Sequence, residues 1–79
     1  MRTTKKEILE WLETANRLIA ESGYRLILGE RYGYKAIDLG YTDRGSICRT
    51  LKTGMTAGEC IDYISAFLTG IEIYTYRRE

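Results

Sequence analysis

Two stretches of the chain repeat apolar residues at helical spacing, and the segment between them alternates. In the first, Ile8, Trp11, Leu12, Ala15, Leu18, Ile19 and Ser22 recur at three- and four-residue steps, with Glu10, Glu13, Thr14, Arg17 and Glu21 on the far side. This predicts an amphipathic helix. Thr4-Lys5-Lys6-Glu7 supplies its capping box, and Gly23 stands where a left-handed terminator is wanted.

The alternating segment reads as three short strands. Tyr24, Leu26 and Leu28 share one face of the first, and Gly29 to Gly33 supplies a turn. The second strand covers Tyr34 to Leu39, with Ile37 and Leu39 toward the core and Tyr34, Ala36 and Asp38 on the other side. Thr42-Asp43-Arg44-Gly45 fits a type I turn closed by a glycine at positive φ. The third strand runs from about Ser46 to Lys52, and its facing is ambiguous because Ile47 and Leu51 flank Arg49 while Cys48 and Thr50 lie opposite.

A second capping box, Thr56-Ala57-Gly58-Glu59, opens the second helix, with Met55 as a hydrophobic staple on Cys60. Its apolar stripe is Cys60, Tyr63, Ile64, Phe67, Leu68 and Ile71, and Gly70 is the expected terminator. The tail Ile71 to Tyr76 alternates and is rich in β-formers, so it reads either as a fourth, edge strand or as a segment lying over the core. Arg77, Arg78 and Glu79 are expected to fray.

These elements make a single domain, residues 1–79, of the α+β class. The expected architecture is a two-layer αβββα arrangement: a three-stranded antiparallel meander with both helices on one face and the other face open. No apolar run approaches the roughly 20 residues needed to span a bilayer, so no membrane association is expected. The start of the chain lacks a signal-peptide pattern, and two cysteines are too few for a disulfide scaffold. A cytoplasmic setting with reduced thiols follows as the expectation.

Charge and chemistry narrow the function classes. The formal net charge of +1 excludes a strong global field, but residues 23–54 carry six basic against three acidic groups. The chain has no histidine, so acid–base catalysis at neutral pH would need a strongly shifted carboxylate, lysine, tyrosine or cysteine, and nothing marks one. Cys48 and Cys60 cannot complete a structural zinc site, and they read as structural residues. We expect no enzyme activity, no metal and no cofactor.

Three partial resemblances test poorly. Gly29-Glu30-Arg31-Tyr32-Gly33-Tyr34 feeds a strand, unlike a phosphate loop, which feeds a helix. Arg31 to Ile37 is similar to the aromatic strand of an RNA-recognition motif but sits in the wrong element order. The αβββα order is that of double-stranded-RNA-binding domains, yet the second helix opens on Thr56-Ala57-Gly58-Glu59 without their lysine cluster. Lys5 and Lys6 oppose the dipole of the first helix, and with Arg2, Arg77 and Arg78 they would make a basic patch if the termini approached one another.

The residues best suited to an interface are Arg25, Arg31, Tyr32, Tyr34, Lys52, Tyr74 and Tyr76, since arginine and aromatics are enriched at protein interfaces and can also stack bases. Glu21 to Leu28, Arg31 to Leu39 and Thr53 to Thr56 resemble small uncharacterised proteins of bacterial phages and mobile elements. That resemblance implies a bacterial cytoplasmic setting and no assigned activity. The expected function is a non-enzymatic module that binds a protein partner or a second copy of itself, a homodimer, through the open sheet face or the edge strand. The alternative is weak nucleic-acid binding through the basic sheet segment.

Overall fold

The computed structural model describes the backbone of residues 4–78 and the side chains of residues 4–74. Thr4 accepts the Glu7 backbone N–H at 3.2 Å and starts α1, Lys5–Leu18. A short 3₁₀ turn at Ala20–Ser22 follows, and Gly23 ends it at φ 85°, in the left-handed region where the sequence places a terminator. Three antiparallel strands come next in meander order: β1, Tyr24–Arg31; β2, Tyr34–Tyr41; and β3, Ile47–Met55.

The last element, α2, covers Ala57–Arg78. At its start the Thr56 N–H donates to Glu59 Oε1 at 2.9 Å and the Glu59 N–H donates to Thr56 Oγ1 at 3.3 Å, a complete capping box. Neither reading of residues 71–76, an edge strand or a segment lying over the core, holds: they continue α2, and Gly70 does not terminate the helix. Its neighbours Thr69 and Ile71 are β-branched and no better than middling helix-formers, but a lone glycine costs a helix only about 1 kcal/mol, less than losing the packing of Ile71 beside it.

Both helices cover one face of the sheet. Ile8, Leu12 and Ala15 from α1, Leu26, Ile37 and Met55 from the strands, and Cys60 and Ile64 from α2 form one buried cluster, edged by Ile19, Leu28, Leu39, Leu51 and Phe67. The stripe of α1 is narrower than its sequence pattern suggests. Trp11 and Leu18 lie on a flank and stay 38% and 56% exposed, because the line through Ile8, Leu12, Ala15 and Ile19 already fills the space above the sheet.

The β1–β2 turn is tighter than expected. Gly29, Glu30 and Arg31 belong to β1, and only Tyr32 and Gly33 connect the strands, at φ 56° and 81°. Positive φ at both positions is the type I′ pattern that matches strand twist. In the second turn Gly45 adopts φ 67°, as expected, and donates its N–H to the Tyr41 carbonyl at 3.0 Å.

β3 departs most from a regular strand. Between its pairs with β2, Lys35↔Met55 and Gly40↔Ile47, the register slips at three places, one of them beside Gly54 at φ 73°. Each one-residue slip exchanges the faces of the side chains that follow. That is why simple alternation gives no single facing for this strand.

The outer face of the sheet is not open at its centre. Ala36, Asp38 and Gly40 of β2 are buried there, and the side chains that cover them come from β1. Ile27 lies over Gly40, where a Cβ would come within 2.6 Å of Ile27 Cδ1. Arg31 reaches back past Gly29 and Ala36 to Asp38, its Nη2 donating to Oδ1 at 3.2 Å and Oδ2 at 3.1 Å. Thr50 of β3 donates to the same Oδ1 at 2.7 Å. One carboxylate, 2% exposed, thus ties all three strands together.

Two predictions follow from these contacts. Arg31→Ala leaves the Asp38 charge with a single donor, and should cost about 2 kcal/mol in urea unfolding; Gly29→Ala should also destabilise, since its Cβ would sit 3.0 Å from Asp38 Oδ2. The second concerns acid. The Glu30 carboxyl is held below the ordinary glutamate range chiefly by the hydrogen bond from Lys35, and that of Glu59 by the Thr56 backbone N–H and then its hydroxyl. Both depressed values stabilise the fold above the range where free glutamates titrate, and the gain is lost as pH falls through them. Thermal midpoints should therefore drop below about pH 4, and Glu59→Gln should start lower at neutral pH and fall less.

Candidate interaction site

The seven residues singled out from the sequence do not form one surface. Tyr32 and Tyr34 project from the β1–β2 turn, 100% and 53% exposed. Arg31 is committed to Asp38 and serves the sheet. Lys52 sits on the helix side with Met55, Glu59, Asp62 and Tyr63, away from the tyrosines. Tyr74 lies on the last described turns of α2, beside Leu18, Ile19, Phe67 and Ile71. Tyr76 continues the α2 backbone, and its side chain lies outside the described residues.

The proposed basic patch of the two termini is not assembled either. α1 and α2 run in the same direction: Lys5 acts on Glu30 and Lys35 acts on Cys60 at one end, while Leu18 meets Tyr74 at the other. Residues 77 and 78 therefore extend away from Lys5 and Lys6. Arg2 and the side chains of Arg77 and Arg78 lie outside the described residues.

Arg25 alone among the seven lines the groove beside the β1 edge. The groove runs between α1 and the outer edge of β1, holds about 730 Å³, and has Leu9, Leu12, Ile27 and Leu28 on its walls. Leu9 is 47% exposed within it. Lys5, Arg17 and Arg25 stand around it against a single acid, Glu13. Lys5 and Arg25 make no ion pair among the described residues.

One residue that the sequence reading passed over explains the groove's geometry. Asn16 presents its side-chain amide to β1 as though it were another strand: Oδ1 accepts the Leu26 N–H at 2.6 Å, and Nδ2 donates to the Leu26 carbonyl at 3.0 Å. Both backbone groups of Leu26 therefore point away from β2. Backbone direction alternates along an antiparallel pair, so the N–H and C=O of Leu28 and Glu30 point outward as well. Nothing plays the part of Asn16 for them among the described residues. The sequence does carry a weak signal, since Leu9, Glu13 and Asn16 with Lys5 lie on one flank of the helical wheel beside the buried stripe.

The titrating groups give no catalytic arrangement. Burial pushes the Cys60 thiol up, which suits an inert core residue. The Tyr41 hydroxyl is also raised, mainly by its hydrogen bond with Cys48, in an exposed cluster where the Tyr24 ring lies 5.5 Å away and Arg44 sits 5.0 Å over the Tyr41 ring. No group of acidic or cysteine side chains among the described residues could hold a metal ion. No helix among them is long and apolar enough to cross a membrane.

Asn16→Ala should strip both partners from Leu26 and cost about 1–2 kcal/mol. Hydrogen exchange would read the change directly, with the Leu26 amide accelerated and those of Ile27 and Gly29, which point into the sheet, unchanged at low denaturant. Against family models, curated proteins and solved structures alike, the chain finds no match.

Proposed function

We propose that this protein is a small non-enzymatic interaction module that receives an extended segment of a partner protein as an added strand on β1. The outward backbone groups of Leu28 and Glu30, unpaired beside an apolar groove, carry this reading. An unpaired edge is a template for another chain, and most folded proteins cover it. Here α1 covers it only at Leu26, through Asn16.

The nucleic-acid alternative is weaker on the same contacts. Of the six basic residues in 23–54, Arg31 is bound to Asp38, Lys35 to Glu30, and Arg44 lies against Asp43. Cations already matched by carboxylates release few counterions when phosphate binds.

A proline at position 30 tests the edge without disturbing the sheet, because the Glu30 N–H points outward and takes no part in the β1–β2 ladder. Linear peptides selected from a display library on the wild-type protein should bind Glu30→Ala nearly unchanged and Glu30→Pro about tenfold more weakly, the value of about 1.4 kcal/mol. They should also slow exchange of the Leu28 and Glu30 amides. Equal binding to the two variants, or a selection that yields no binder, would overturn the proposal.

A further inference from the structure

The groove's charges specify which segment the edge accepts. We infer that its occupant is a short extended stretch of another protein in which acidic residues alternate with apolar ones; this rests on the strand-addition reading above.

A strand added beside Leu28 and Glu30 sends alternate side chains to opposite faces of the sheet. Those on the helix side enter the groove and meet Leu9, Leu12 and Leu28, an apolar wall that favours branched or unbranched aliphatic side chains. The others meet Arg25 on the outer face of β1, and the ends of the segment approach Lys5 and Arg17 at the two ends of α1, whose charge Glu13 offsets only in part. Glu30 adds little repulsion, since Lys35 holds its carboxylate at 2.5 Å. Asn16 closes the edge at Leu26, so main-chain pairing is confined to Leu28–Arg31, and only side chains of the segment reach past it toward Arg17 and Arg25.

The same charges argue against a second copy as the occupant. The strands this chain could offer are basic: β3 carries Arg49 and Lys52 and no acid, and β1 carries Arg25 and Arg31 against Glu30. Most of its own acids lie in helices, where Glu7, Glu10 and Glu13 follow α1 and Glu59, Asp62 and Glu72 follow α2. A strand of this chain would bring like charge to the groove rim.

Short capped peptides alternating valine with glutamate, and valine with lysine, decide between these outcomes when titrated into isotopically labelled protein. The glutamate peptide should bind, slow exchange of the Leu28 and Glu30 amides, and weaken as salt rises. The lysine peptide should bind at least about tenfold more weakly. A Lys5→Glu, Arg25→Glu variant should reverse that order, and Arg25→Gln alone should narrow it. Equal protection by both peptides would overturn the charge inference while leaving strand addition standing. Protection by neither would overturn both. Protection of the same amides by raising the concentration of the protein alone would make a second copy the occupant and overturn the inference.

Discussion

The sheet depends on a single charge placed where no helix covers it. Both helices lie on one face, so the other face of β2 must be covered by its own neighbours, and Asp38 is what holds those neighbours down. A carboxylate this buried is costly unless its lone pairs are filled, and here Arg31 and Thr50 fill them from the two flanking strands. Gly29, Ala36 and Gly40 are small for the same reason: they are the floor on which Ile27 and Arg31 lie. A three-stranded sheet thereby gains a second, thin layer built from side chains of its own flanking strands, chiefly β1.

That solution fixes what is left for binding. Once Ile27 and Arg31 are laid over β2, the outer face offers little relief, and of the two sheet edges, β1 and β3, the β1 edge is the one that borders the groove. The Asn16 amide takes one rung of it, and the next two remain. The same strand works in two directions, with the odd-numbered side chains covering the sheet and the even-numbered backbone groups facing outward.

Much of the fold is legible in the sequence. Both capping boxes, the left-handed Gly23, the glycine that closes the second turn and the meander order are written in local patterns of a few residues, and local patterns carry their own physics. The failures are places where tertiary contact outweighs them. Trp11 fits the helical stripe, but width above the sheet excludes it. Ile71 to Tyr76 alternates like a strand, but a helix already running from Ala57 continues at small cost. β3 cannot be phased by alternation because its bulges depend on β2. The site was less legible than the fold. Arg25 was found by residue type, whereas Asn16 reads as one more polar residue on a helix, and its role exists only through contact with a backbone ten positions away.

The common direction of α1 and α2 gives the molecule an electrical polarity that its net charge conceals. The partial positive charges of both helix starts fall at the end that holds the β1–β2 turn, and the partial negative charges of their finishes fall at the opposite end. Glu7 and Glu59 sit at the two starts and offset part of that field, whereas Lys5 and Lys6 add to it. The free rungs of β1 lie at this same end, so the positive ends of both dipoles stand beside the edge to which we assign a partner.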